Sequence, residues 1–311
     1  MQHFAETHLP SYKYLIVFYG SLDKKMIYGY VTGKVQQDRA VACFARSCGA
    51  TVLSIKHYLR NGIPRDASAV IFAGILRGTN RLYKDVLRRG LDFYFLDHAY
   101  LHSGYNNNPM WLRVTKNGFA QNKLITRVDN ERFDRLLHVE FKPWQYRNKT
   151  KIVVVPPTSA AKYVFDCHDW QETIVEELQD YIHNNEFEIV ISEKPGQPLI
   201  DSNTGETIGK LDCEQTNWDS LLPQTRCIVT YHSSMALTGL INGIPTICTN
   251  KCGAYPVSWQ PKDIYDLTSV NRKNLFRSLA MGQFTQNELK RGFAFQKLNS
   301  MQQTILEENN V

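Results

Sequence analysis

The chain has 311 residues, 43% hydrophobic and 21% charged, which is enough apolar material for one large domain or two of ordinary size. No apolar run approaches the roughly 18 to 20 residues that span a bilayer, and residues 1–10 lack the basic-then-apolar pattern of a signal peptide, which predicts a cytoplasmic protein. The net charge of +6 conceals a split: residues 1–150 hold 23 Lys and Arg against 11 Asp and Glu (+12), and the remainder 13 against 19 (−6), an asymmetry that predicts a polyanion facing the first half.

Taken in order, the first half alternates short apolar runs with helical stretches. Residues 14–19 (Tyr-Leu-Ile-Val-Phe-Tyr) read as a buried strand. A helix follows over 36–47, then strands at 51–54 and 69–73, and a helix over 80–89 closed by Gly90. A strand at 92–96 delivers Asp97 and His98 at its carboxyl end. Residues 105–148 are polar, aromatic and basic with weak periodicity, and 106–109 (Asn-Asn-Asn-Pro) signal a loop. The pattern restarts with a strand at 151–155 and a helix over 169–184 with Asp169 as its N-cap. Strands at 187–191, 227–231 and 246–249 follow, with a short helix at 218–222, a helix opened by His232-Ser233-Ser234, and a terminal helix from 286 to about 306. Strands alternating with helices imply parallel sheets covered on both faces. The expected architecture is α/β: two Rossmann-like doubly wound domains facing a cleft, residues 1–148 and 149–285, with a C-terminal helix, 286–311, able to cross back to the first. The seven cysteines are scattered without a second pair at zinc-like spacing, which predicts a reducing compartment and no structural metal.

Open parallel sheets hold ligands beyond the carboxyl ends of their strands. In the second half those positions carry Thr158, Glu193, Lys194, His232, Ser233 and Ser234, a set of hydroxyls, an ammonium and a helix start suited to phosphate. Neither a Gly-x-Gly-x-x-Gly nor a Walker lysine loop occurs, so a conventional dinucleotide or P-loop site is not expected. In the first half Asp97, with His98 beside it, is the candidate general base, and Asp23 and His102 are weaker ones. No Asp-x-Asp motif is present, so Mg²⁺ is allowed but required by no motif. Arg77, Arg81, Arg113 and Lys116, interleaved with Trp111, Tyr100, Tyr105 and Phe119, have the composition of phosphate contacts plus base stacking; Arg88, Arg89, Arg127, Arg132 and Arg135 extend the series.

The stretch from Tyr231-His232-Ser233-Ser234 through Gly243-Ile244-Pro245 to Ile247 resembles the strand, Ser-Ser, helix, Gly-x-Pro, strand element of glycosyltransferases with the B-type (GT-B) double-Rossmann architecture. Capsule-polysaccharide transferases and bacterial sialyltransferases carry similar paired serines after a basic-residue-plus-proline motif, which Lys194-Pro195 partly echoes; this chain has Lys where His is frequent. The resemblance spans roughly residues 150–255 and implies that Lys194, His232, Ser233 and Ser234 bind the phosphates and nucleotide of an activated sugar. In plan, size and charge the whole chain resembles bacteriophage DNA glycosyltransferases acting on 5-hydroxymethylated pyrimidines such as 5-hydroxymethylcytosine. That resemblance implies a UDP-sugar co-substrate, no tightly bound cofactor and DNA as acceptor. Two other readings stay open: a transferase of surface polysaccharide synthesis using a CMP- or UDP-sugar, and a non-catalytic nucleic-acid-binding protein.

Overall fold

The computed structural model describes residues 26–102, 109–125, 129–136, 138–184 and 186–308. The predicted strand at 14–19, Asp23, Tyr105, most of the 106–109 loop and Arg127 lie outside the described residues. The first lobe holds β1 (Met26–Val31), β2 (Thr51–Ser54), β3 (Ala67–Ala73), β4 (Asp92–His98) and β5 (Trp111–Lys116). The second holds β6 (Lys151–Val155), β7 (Glu188–Ile191), a hairpin of β8 (Pro198–Ile200) and β9 (Thr207–Lys210), then β10 (Thr225–Thr230) and β11 (Thr246–Cys248). A last strand, β12 (Gln283–Thr285), returns to the first sheet.

The six-stranded sheet runs β12-β5-β4-β3-β1-β2, and the four-stranded one β11-β10-β6-β7. In each, four strands are parallel, and the chain reverses its direction of progress once, between β1 and β3 and between β6 and β10. These are two Rossmann-like doubly wound units, and each reversal places a crevice beyond the carboxyl ends of its strands. β5 and β12 extend the first sheet in antiparallel fashion.

Alternation along the strands explains how helices cover both faces. Val70, Phe72, Phe93 and Phe95 pack with Leu82, Tyr83 and Val86 of the helix Thr79–Arg89. Ile71, Tyr94 and Leu96 point the other way, against Val41, Phe44 and Ala45 of the helix Val35–Ser47. Residues two apart share a face of a strand, so a single run feeds two cores. In the second lobe Ile152, Val154, Cys227 and Val229 meet Trp170, Ile174 and Leu178 of the helix Trp170–Tyr181.

Three features tie the lobes together. A shared core joins Tyr100, Leu101, Trp111 and Phe133 to Ala236, Leu237 and Leu240 of the helix Met235–Ile241 and to Phe276 and Leu279 of the helix Arg272–Ala280. The β8–β9 hairpin crosses from the second lobe: Asn80, almost fully buried, donates to the Gly205 carbonyl at 2.7 Å, and Ile200 enters the first-lobe core. Gly205 has φ +71°, and a Cβ there would lie 2.6 Å from Tyr163 Cζ, so the close approach of the hairpin tip needs glycine. Finally, the helix Phe293–Glu308 lays Ala294 and Leu298 on the first-lobe core, with Asn299 Oδ1 accepting from the Tyr94 hydroxyl. The return to the first lobe begins at β12, inside the 149–285 segment read from the sequence as second domain. The terminal helix is also broken: Gln286–Lys290 and Phe293–Glu308 are separated by Gly292 at φ +78°.

Candidate active site

β4 and β5 are antiparallel neighbours with Asp97 directly opposite Arg113. The pairing puts Arg113 Nη2 2.7 Å from Asp97 Oδ2, with 11% and 19% of the two side chains exposed. Aromatic rings cage the guanidinium: its carbon lies 4.6 Å from the Phe119 centroid and 5.7 Å from those of Phe95 and Tyr100. Tyr100 also anchors the loop carrying Phe119, its hydroxyl accepting from the Gln121 amide at 2.7 Å. Such a buried pair is held by fixed geometry rather than by net Coulombic gain. His98, next along β4, has its pKa lowered by burial. Arg113, Lys194 and Lys34 push the same way, and Asp97 opposes them. Lys194, at the carboxyl edge of the second sheet, therefore lies within electrostatic range of the first-lobe strand end.

His232 follows β10 and crosses the lobe boundary. Its ring stacks on Phe119 at 4.7 Å between centroids and 9° between planes, with the Phe165 edge against it. Burial drives its pKa down to about 3, helped by Arg113 and opposed by Asp97, so the imidazole is neutral near pH 7. A neutral imidazole brings no positive charge to a diphosphate. The same shift makes stability depend on pH. In the window from about 6.5 down to about 3 the unfolded chain binds a proton at this site that the folded chain refuses, so stability falls as pH falls. His232→Phe should remove this component, and thermal melts at pH 7 and 4.5 should show a loss about 2–3 kcal/mol larger for wild type than for the variant.

The remaining donor-side residues sit at the carboxyl ends of β6, β7 and β10, as the sheet topology requires. Thr158 caps the helix Ser159–Phe165, its hydroxyl accepting from the Ala161 amide. Ser233 Oγ accepts from the amide of Met235, the first residue of the helix Met235–Ile241, at 3.2 Å, while Ser234, the N-cap, is exposed with no side-chain capping bond. Lys194 is exposed and Glu193 half-buried, after Ser192, whose hydroxyl is bonded to Thr216 Oγ1.

The residues assigned to nucleic acid are not brought onto one face. Trp111 is 5% exposed, inside the shared interlobe core. Arg113 is committed to Asp97. Lys116 donates to Asn299 Oδ1 at 3.0 Å beside Asp92, and Arg132 is buried on Glu288 and the Ala280 carbonyl. Arg81 pairs with Glu206 of the hairpin at 3.6 Å. Of the five residues in that assignment, Arg77 alone is exposed, in a left-handed backbone conformation. A strand interior explains the reversal: β5 needs an apolar face, and Trp111, Arg113 and Lys116 occupy its ladder rather than a solvent stripe. No local signal marks Phe119 as a contact between the lobes, and the Arg113–Asp97 pair follows only from the β4–β5 register.

Among the described residues no cluster of three or more His, Cys, Asp or Glu side chains is arranged to hold a metal ion, and no helix is long and apolar enough to cross a membrane. Two doubly wound lobes with their carboxyl edges meeting at Asp97 and His232 make a two-lobe α/β architecture with its candidate site at the joint. No family profile and no curated protein matches the chain. Among solved structures the chain is similar to the beta Kdo 2,4 transferase of Thermosulfurimonas dismutans KpsC at 15% identity, with a TM-score of 0.44 over 82% of this chain and 90% of that one. It is also similar to the beta Kdo 2,7 transferase of the same KpsC at 13% identity, TM-score 0.39, over 88% and 99%. The Streptomyces sp. SF2575 glycosyltransferase SsfS6, complexed with thymidine diphosphate, follows at 10% identity, TM-score 0.25, over 86% and 72%.

Proposed function

We propose that the protein transfers a sugar from a nucleotide-activated donor to an acceptor hydroxyl at the joint between its lobes. The observation that carries this reading is the run of contacts from a first-lobe carboxylate, Asp97, through Arg113 and Phe119 to His232 at the second-lobe turn His232-Ser233-Ser234. Asp97 Oδ2 is held by Arg113, and Oδ1 takes the proton of the acceptor hydroxyl. The acceptor oxygen bonds to the anomeric carbon as the bond from that carbon to the phosphate oxygen breaks, and the nucleotide leaves with the electron pair. Lys194 neutralises the departing phosphate, with Ser233, Ser234 and Thr158 as hydroxyl partners and Glu193 at the rim. The same residues accommodate a UDP- or CMP-sugar, and Mg²⁺ has no assigned ligand.

The acceptor is a saccharide hydroxyl rather than 5-hydroxymethylated DNA in this reading. DNA needs a continuous cationic groove and stacking rings, and Trp111, Arg113, Lys116 and Arg132 are spent inside the protein. The test is incubation with a panel of nucleotide sugars and two acceptor sets, oligosaccharides and hydroxymethylcytosine DNA, followed by mass analysis of both. Glucosylation of the DNA alone would reverse the acceptor assignment, and no transfer with no thermal stabilisation by millimolar UDP or CMP would remove the enzyme reading. Lys194→Ala should raise donor KM and lower kcat, about tenfold each, measured by initial rates, because the ammonium meets both the bound and the departing phosphate.

A further inference from the structure

Seven side-chain nitrogen or oxygen atoms among the described residues are shut away from solvent without a hydrogen-bond partner, and three of them belong to two residues packed on the Phe119 ring: Arg113 Nε, His232 Nδ1 and His232 Nε2. Arg113 comes from the first lobe and His232 from the second, and both lie against the Phe119 ring. Buried polar groups in proteins are almost always partnered, and leaving one unpaired costs about 1–3 kcal/mol. Three such atoms converging on one ring between two lobes mark a place where a ligand supplies the partners.

The hydrogen-bonding capacity of these atoms selects the ligand's chemistry. A neutral imidazole offers one donor and one acceptor, and the guanidinium Nε–H one further donor. Ionised phosphate offers acceptors only and leaves the acceptor nitrogen of His232 unpaired. Neighbouring sugar hydroxyls both donate and accept, and sugar ring C–H faces pack on aromatic rings of the kind that Phe119 and Phe165 supply. We propose that His232 and Arg113 bind hydroxyl groups of the transferred sugar, while its phosphates are left to Lys194 and the Ser233-Ser234 turn. The inference rests on the sugar-transfer reading and names the group that this part of the site recognises. It also gives Phe119 a part: its ring covers the imidazole, and it must withdraw, alone or with its lobe, for the sugar to reach the two nitrogens.

The test compares the active nucleotide sugar from the panel with its singly deoxygenated analogues. Wild type should lose about ten- to a hundredfold in kcat/KM when one particular hydroxyl is removed. His232→Phe, which keeps an aromatic ring for the stack, should handle donor and that analogue alike while binding the free nucleotide with wild-type affinity. His232→Gln, with a donor and an acceptor on its amide, should restore part of the discrimination. In wild type labelled with ¹⁵N-histidine, the His232 ring signals should move further on adding nucleotide sugar than on adding nucleotide alone, a readout that does not depend on how the variants fold. The proposal is overturned if His232→Phe keeps the wild-type discrimination at every hydroxyl, or if nucleotide sugar moves the ring signals no further than free nucleotide does. If no nucleotide sugar binds wild type, the sugar-transfer reading falls first and this one with it.

Discussion

Asp97→Asn should lower kcat by about a thousandfold while leaving nucleotide affinity close to that of wild type. A positioned general base contributes about 10² to 10⁴ to rate, and an amide cannot take the acceptor proton. Free nucleotide does not depend on that proton, so its affinity, read by calorimetry, separates loss of chemistry from loss of the site. The partner makes the choice of substitution matter. Arg113 is 11% exposed and its Nη2 donates to the Asp97 carboxylate. Asparagine keeps an oxygen in that place, so a charge–dipole contact survives. Asp97→Ala strands the guanidinium among Phe95, Tyr100 and Phe119, and removing one member of a buried ion pair costs about 3–5 kcal/mol. The Asn variant should therefore melt near wild type and the Ala variant well below it. An Asn variant with wild-type turnover would take the base role from Asp97.

Gly243→Ala should be the most damaging Gly→Ala change among the described residues, lowering stability by about 4 kcal/mol, or roughly 10 °C in melting temperature. Gly243 follows the helix Met235–Ile241 with φ +76°, where any L-residue is strained by about 1–2 kcal/mol. Steric overlap costs more: the added Cβ would lie 1.9 Å from the Pro143 carbonyl oxygen and 3.0 Å from Trp144 Cα. Those are backbone atoms of the interlobe linker, fixed by Lys142 N–H donating to the Ile241 carbonyl at 2.9 Å and Gln145 N–H to the Gly243 carbonyl at 3.0 Å. Arg272 tightens the same joint, donating to the Leu240 and Lys142 carbonyls beneath Trp144. The linker must lift away, and these bonds go with it. Gly33→Ala is the control: φ is +93° there, but nothing lies within 4 Å of the added methyl, so only the backbone strain of about 1–2 kcal/mol should appear in the melt.

Elements governed by local chemistry were legible in the sequence. The strands at 51–54 and 151–155 form where the β-branched runs predict them, and the helix Thr79–Arg89 ends on Gly90 in the left-handed conformation that its position suggested. Strand ends carrying Asp97 and the His232 turn were legible for the same reason. What could not be read depends on partners distant in sequence. β5 carries Arg113 and Lys116 in an otherwise apolar ladder, and their burial is tolerable only because Asp97, Asp92 and Asn299 meet them across the fold. A window of neighbours sees only a basic stretch. β12 is three residues long and exists because β5 leaves an edge open to it. His232 reads as one more polar group at a helix start, and the rings of Phe119 from the other lobe and Phe165 from its own cover the imidazole and keep it neutral.

The late return of the chain to the first sheet has a consequence for biosynthesis. Gln283 pairs with Arg113, a residue that leaves the ribosome about 170 residues earlier. Topologically the second lobe is a guest inserted into the first, and it can close its own four-stranded sheet while its host still presents β5 as a raw edge on the nascent chain. That edge carries Trp111 and Leu112, so the interval before residues 283–285 emerge is when this protein is most open to wrong pairing with another strand.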